Sequence, residues 1–106
     1  MDANGLWTFA YKMGNQVFSM VATIDNDKIT GGNNCYYYSG NVKLENGTLI
    51  GNMTGHHFFG NPDPAVGGLK TIPVHFQAKV DSGKMIGTAN IQGIPVELAF
   101  QGEKRN

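Results

Sequence analysis

Apolar and polar residues alternate along most of this chain. In the first such run, Trp7, Phe9, Tyr11 and Met13 fall on one face, and Thr8 and its alternate neighbours fall on the other. A period of two is what a β-strand with one buried face produces, whereas a helix repeats every 3.6 residues. The pattern therefore predicts strands.

Eight runs of this kind follow one another, and no stretch carries a helical stripe. Their approximate bounds are 6–13, 16–25, 28–32, 36–44, 48–59, 70–80, 84–91 and 94–101. Dipeptides such as Asn46-Gly47 and Ser82-Gly83 separate them and supply the positive φ angles of tight hairpins. Short connections predict antiparallel neighbours. Residues 60–69, with two prolines and three glycines, are expected to form a loop with at most one helical turn.

An open meander of eight strands would leave two unpaired edges, and closure into a barrel removes both. We therefore predict an all-β fold, an eight-stranded antiparallel meander barrel of lipocalin-like form with little or no helix. Residues 1–106 are expected to form a single domain. Pro73 and Pro95 cannot donate to a ladder, so each is expected at a bulge, a strand end or an imperfect seam.

The interior of an eight-stranded barrel is either filled by side chains or holds one small ligand. The residues predicted to point inward are large, and we expect a mostly filled core in which the same side chains are the candidates for contacting a ligand. This interior set is Trp7, Phe9, Tyr36, Tyr38, Met53, Phe76 and Phe100. Gly51, Gly55 and Gly87 are interpreted as permitting curvature.

Charge and cysteine content narrow the function classes. Charged residues make up 15% of the chain, and eight basic residues balance eight acidic ones, with basic residues concentrated only at Lys104 and Arg105. This argues against direct nucleic-acid binding and against an electrostatic membrane anchor. The single cysteine, Cys35, suits a reducing compartment. With neither a secretory signal nor a membrane-length apolar run in view, we expect a cytoplasmic protein.

No residue pattern indicates catalysis. His56 and His57 are adjacent on a predicted strand and so point to opposite faces, and no carboxylate or thiol completes a metal site with His75. Cys35 has no base beside it in the sequence, and no two carboxylates are marked as an acid–base couple. We therefore expect a non-enzymatic protein without a cofactor or metal.

Some residues on the predicted outer faces are apolar, namely Val17, Val21, Tyr37, Ile50 and Ile86. Single exposed apolar residues are common, but a group of them marks an interface. The hypothesis drawn from this set is a homodimer.

Three short stretches resemble the GrlR-like family of small barrel proteins, whose founding protein is a negative regulator of type III secretion in enteric pathogens. They are Gly5–Phe9 (GLWTF), Lys28–Gly32 (KITGG) and Tyr38–Gly40 (YSG), in matching order and spacing. The resemblance implies a lipocalin-like barrel, often dimeric, that binds a transcriptional activator protein. In the protein for which the family is named, an acidic run in the hairpin after the third stretch is tied to partner recognition. The matching positions here are Glu45, Asn46, Gly47 and Thr48, of which only Glu45 is acidic.

Two functions follow. One is a regulatory protein that binds another protein, and the alternative is a carrier of a small apolar ligand inside the barrel. A cavity of about 300–1,000 Å³ would favour the carrier, and a filled core with an apolar outer patch would favour the regulator. The loops at 31–34, 45–48 and 60–69 are the first candidates for recognition.

Overall fold

A computed structural model describes residues 2–106, and at Ala65 the backbone only. The chain forms eight strands and a single turn of 3₁₀ helix at Pro64–Val66. The strands are β1 (Gly5–Met13), β2 (Gln16–Asp25), β3 (Lys28–Gly32), β4 (Tyr36–Glu45), β5 (Thr48–His57), β6 (Thr71–Asp81), β7 (Lys84–Ile91) and β8 (Glu97–Lys104).

The sheet is a closed barrel in which each strand pairs antiparallel with the next. Closure comes from β8 returning to β1, in a register that runs from Trp7 opposite Lys104 to Tyr11 opposite Phe100. Every strand is therefore paired on both sides, which removes the edges that an open meander would expose. The predicted fold class, an all-β eight-stranded antiparallel barrel, is confirmed.

The two ends of the barrel differ in their connections. Three two-residue hairpins, Asn26-Asp27, Asn46-Gly47 and Ser82-Gly83, have positive φ at both positions and lie together at one end. This is the type I′ geometry, whose twist matches that of the strands it joins. We call this the hairpin end. The opposite end carries the longer segments, including residues 58–70, and is called the capped end.

Trp7 is fully buried in the half of the barrel near the hairpin end. Its side chain is 0% exposed, and its indole Nε1 donates a hydrogen bond to the carbonyl of Ala3 at 2.8 Å. Ala3 is itself buried, so the segment before β1 closes this end of the core. A buried indole needs such an acceptor, because an unpaired N–H in an apolar interior is costly.

Two predicted strand bounds are corrected. The run 48–59 was expected to place Phe59 inside, but β5 ends at His57 and Phe59 is exposed. The hydrogen bond from the Phe58 amide to the Cys35 carbonyl is the last one that continues the β4–β5 register, and the chain then turns away at Gly60, which has a left-handed φ of 70°. The last strand begins at Glu97 and not at residue 94, since Pro95 has no amide hydrogen to donate.

Pro73 lies inside β6, opposite Thr54 of β5. Its carbonyl accepts a hydrogen bond from the Gln92 amide at 3.0 Å, just beyond the last Cα pair of the β6–β7 ladder, Val74 opposite Ile91. In an antiparallel ladder the N–H and C=O of one residue point the same way. The missing donor of Pro73 therefore falls just beyond the last pair of the β6–β7 ladder, although Pro73 itself lies inside β6 and not at a strand end.

Replacing Trp7 with alanine is expected to destabilise the protein by about 3–5 kcal/mol, because it leaves a cavity in a filled region and orphans the Ala3 carbonyl. Urea unfolding followed by far-UV circular dichroism measures the change. Ile86→Ala is the control, since Ile86 is 69% exposed on the outer face and its truncation should cost less than about 0.5 kcal/mol. Equal losses in the two variants would contradict the assigned role of Trp7.

Candidate functional site

Residues 58–70, here called the cap segment, fold over one end of the barrel. They are held by a hydrogen bond between His57 Nε2 and the Gly60 carbonyl at 2.7 Å, and by one from Cys35 Sγ to the Asn61 carbonyl at 3.3 Å. Val66, from the 3₁₀ turn, is buried against the core. The cap segment is therefore an ordered cover.

Tyr36 holds the cap segment in place through hydrogen bonds. Its hydroxyl donates to the Leu69 carbonyl at 2.5 Å and accepts from the Asp63 amide at 3.0 Å, so one side chain contacts both halves of the cap segment. Asn33 fixes the backbone just before Tyr36, because the Asn33 side-chain oxygen accepts a hydrogen bond from the Tyr36 amide at 2.9 Å. The ring packs edge-on against His57, with centroids 5.6 Å apart.

Beneath the cap segment lies a cavity of about 80 Å³ lined mostly by apolar side chains. Six of the seven residues predicted for the interior line it; Trp7 lies outside it. These six are Phe9, Tyr36, Tyr38, Met53, Phe76 and Phe100. Gly51 and Gly55 leave no space of their own, since a Cβ there would meet the rings of Phe76 and Tyr38. The aromatic rings occupy what these glycines vacate.

Hydroxyl groups gather at the capped end of the cavity. Burial raises the pKa of the Tyr38 phenol well above its ordinary value, and the nearby Tyr11 raises it further. Burial also raises the pKa of Tyr11, partly offset by a hydrogen bond with the Asn33 side chain. Tyr38 is 8% exposed, and its hydroxyl has no hydrogen-bond partner among residues 2–106. These groups stay neutral and can donate to a polar atom in the cavity.

On the outer surface near the capped end, three rings form a group that we call the aromatic cluster: Tyr37, His56 and Phe58. The Tyr37 ring lies 5.2 Å from that of His56 and 6.1 Å from that of Phe58, measured between centroids. Tyr37 is 52% exposed and Phe58 is 55% exposed. Phe58 was not among the predicted outward apolar residues, although the alternation in the predicted run 48–59 assigns it to the outer face.

The five residues predicted for a dimer interface are all exposed, but they do not form one patch. Val21 and Tyr37 share a row across Gly32 of β3. Val17 lies farther along β2, opposite Lys12. Ile50 and Ile86 lie on β5 and β7, on either side of β6. The register thus divides the set among separate parts of the barrel.

The hairpin at 45–48 lies at the hairpin end, whereas loops 31–34 and 60–69 lie at the capped end. The ten residues of β4 separate them, and strands rise about 3.3 Å per residue. Glu45 pairs with Lys43 at 2.9 Å in an exposed salt bridge, and Asn46-Gly47 forms a plain type I′ turn. The three predicted loops therefore cannot act as one surface.

The histidines are dispersed as the alternation predicted. His56 points outward into the aromatic cluster, and His57 points the other way, against Tyr36. His75 lies on β6 and contacts Asn52, with 2.9 Å between Nδ1 and Oδ1. Within the part of the chain that the structure describes, no three His, Cys, Asp or Glu side chains converge as metal ligands.

A scan against protein-family models and a search of curated proteins gave no match. Residues 2–106 include no helix with the length and apolar character needed to span a membrane.

Replacing Tyr36 with phenylalanine is expected to loosen the cap segment, because the Asp63 amide loses its acceptor and the Leu69 carbonyl its donor. Amide hydrogen exchange of Asp63 should accelerate, and the free energy of unfolding should fall by about 1–2 kcal/mol. Tyr37→Phe is the matched control, since its hydroxyl makes no hydrogen bond among the described residues. Unchanged protection of Asp63 in Tyr36→Phe would show that the cap is held by other contacts.

The raised pKa of Tyr38 makes stability sensitive to alkali. The unfolded chain releases this proton near the ordinary pKa of 10.0, whereas the folded protein retains it. The stability that the folded protein gains by keeping Tyr38 protonated is therefore fully present below pH 10. It is lost as the pH rises toward the pKa of Tyr38 in the folded state. Urea midpoints measured from about pH 9 to 11 should fall less steeply in Tyr38→Phe than in the unaltered protein. Parallel pH profiles would refute this origin of the alkaline sensitivity.

Proposed function

We propose that this protein is a non-enzymatic regulatory protein that acts by binding another protein, in the manner of the GrlR-like family. Under this proposal it sequesters a transcriptional activator and so acts as a negative regulator. Support comes from the stretches at Gly5–Phe9, Lys28–Gly32 and Tyr38–Gly40, and from the exposed aromatic cluster. The aromatic cluster is the observation that carries the proposal.

The physical case rests on what exposed aromatic rings do at interfaces. Tyr and Phe offer large contact area at the cost of few rotatable bonds, and buried aromatic side chains often supply much of the binding free energy. Tyr37 lies on a strand of the barrel, and the Phe58 amide is hydrogen-bonded to the Cys35 carbonyl. A surface on so rigid a support loses little conformational entropy when it binds.

Recognition through this surface differs from recognition through an acidic hairpin. Glu45 is the one acidic residue at positions 45–48, and Lys43 already pairs with it. Exposed pairs of this kind contribute little to binding or stability. The proposed partner surface is therefore apolar and placed at the capped end, and its affinity should depend only weakly on salt concentration.

The carrier alternative has less support. The cavity volume of about 80 Å³ lies well below the lower bound of roughly 300 Å³ for usual ligand pockets. Val66 and the cap segment held by Tyr36 cover the cavity in part, and its small volume is more typical of a packed core than of a carrier site.

A homodimer belongs to the same proposal. Ile50 and Ile86 flank β6 on a part of the barrel away from the aromatic cluster, so self-association there would leave Tyr37 and Phe58 free. Native mass spectrometry across a concentration series is expected to report twice the chain mass. A monomer mass at every concentration would remove the dimer from the proposal and leave partner binding intact.

The partner experiment uses a photo-reactive benzoylphenylalanine in place of Phe58, expressed in the protein's own host, with the same residue in place of Ile86 as the control. A single protein is expected to crosslink at position 58 and not at position 86. Calorimetric titration with that purified protein should then show about tenfold or more weakening for Tyr37→Ala and for Phe58→Ala.

Ile86→Ala should bind the identified protein as the unaltered chain does. The proposal fails if both positions crosslink the same proteins equally, or if Tyr37→Ala and Phe58→Ala retain full affinity. If the crosslinked protein is not a transcriptional regulator, the proposal that the partner is a transcriptional activator is wrong. The proposal that the aromatic cluster binds a protein would still hold.

A further inference from the structure

A second site lies on the flank of the barrel, apart from the cavity. The outer face of β4 to β7 carries a shallow groove of about 520 Å³ that is open to solvent. Two rows of outward side chains cross it from strand to strand. One row is Asn41, Asn52, His75 and Asn90, and the other is Ser39, Thr54, Pro73 and Gln92.

The outward side chains of this groove are chemically uniform. Six of the eight side chains end in an amide or a hydroxyl group, and the other two are the ring of Pro73 and the imidazole of His75. An amide or hydroxyl side chain can both donate and accept hydrogen bonds, as a sugar hydroxyl does. The nearest charged neighbours in the row are at its two ends, Lys28 opposite Asn41 and Glu97 opposite Asn90. The groove therefore matches a neutral ligand with many hydroxyl groups.

Most of this hydrogen-bonding capacity is unused. The side chains of Ser39, Thr54, Asn90 and Gln92 make no hydrogen bond to any residue in the range 2–106. By contrast, the Asn41 side-chain oxygen accepts from Lys28 Nζ at 3.4 Å. These four free groups lie on β4, on β5, on β7 and directly after β7, so together they can contact one extended ligand.

The Asn52–His75 pair sets the centre of the groove. With the proton on Nδ1, His75 donates to Asn52 Oδ1 at 2.9 Å. This leaves the Asn52 amide nitrogen as a donor and His75 Nε2 as an acceptor, so the pair offers both kinds of group at one point. Pre-oriented polar groups bind with less loss of conformational entropy than free ones.

The groove also contains apolar surface of the kind that sugar rings pack against. The flat ring of Pro73 lies between the free groups of Thr54 and Gln92. The next row toward the capped end holds the exposed ring of Tyr37 opposite the half-buried ring of His56. The C–H face of a pyranose packs on such rings while its hydroxyls reach the amides beside them.

We propose that this groove binds a neutral oligosaccharide. A nucleic acid or a phosphorylated ligand would need several cations, whereas this groove has one lysine, Lys28, at its β4 end and a carboxylate, Glu97, at its other end. A peptide adding as a strand would need a free sheet edge, which the closed barrel does not have. The proposal goes beyond partner binding by the aromatic cluster and does not depend on it.

The test is an NMR titration of ¹⁵N-labelled protein with four defined probes: cellopentaose, maltopentaose, xylopentaose and chitopentaose. Each is added to about 10 mM, above the millimolar dissociation constants of weak binders. At least one is expected to shift amide signals of residues 39–41, 52–54, 73–75 and 90–92, and to leave those of the hairpin end unchanged.

A double variant, Thr54→Val with Asn90→Ala, removes two free groups from the groove and leaves Tyr37 in place. It should weaken the binding of that probe roughly tenfold. The control is Thr23→Val with Gln101→Ala, which changes outward polar residues on β2 and β8 and should bind as the unaltered protein does.

The groove assignment is overturned if none of the four probes shifts any signal, if the shifts lie outside the groove, or if the groove variant binds as tightly as the control. Because both variants retain Tyr37 and Phe58, loss of oligosaccharide binding is separable from loss of partner binding.

Discussion

Pairing of the first strand with the last is the constraint on which the rest of this structure depends. Once β8 pairs with β1, every strand residue is committed to the interior or to the surface, and a slip of one residue would exchange the two faces along a whole strand. Trp7 can be fully buried only because closure surrounds it, and Ala3 then completes the hydrogen bonding of its indole. Closure also leaves no edge strand, so neither aggregation nor recognition can proceed by adding a strand.

The interior is closed differently at its two ends. Near the hairpin end the strands join through three tight turns and the indole of Trp7 is fully buried, whereas the capped end is covered by a longer segment that the Tyr36 hydroxyl hydrogen-bonds at two points. The cavity lies beneath this cover and has hydroxyl groups at its capped end. The cover of the capped end depends on a few hydrogen bonds. Substitutions in the cap segment should therefore speed amide hydrogen exchange there without disrupting the rest of the barrel.

On the outside, the same alternation that fills the core produces two surfaces of opposite chemistry that share strands β4 and β5. The aromatic cluster presents apolar rings beside the cap segment, and the groove presents amides and hydroxyls along β4 to β7. They share the border between Tyr37 and Ser39, two residues apart on β4. Since neither surface carries a concentration of charge, shape and hydrogen bonding should decide what binds, with little electrostatic steering.

The fold class, the number of strands, the hairpin turns and the inward residues were all readable from the sequence, because alternation and turn dipeptides are local properties of the chain. Pro95 and Phe59 show where this method of prediction fails. Both were assigned to strands by extending the alternation, but they lie outside β8 and β5, where side chains no longer alternate between two faces of a sheet. The cavity volume, the division of the five outward apolar residues and the meeting of Tyr37, His56 and Phe58 depended on the tertiary structure. These features follow from which residues lie opposite one another across neighbouring strands, and that register is decided only when the barrel closes and each ladder must satisfy both of its neighbours at once.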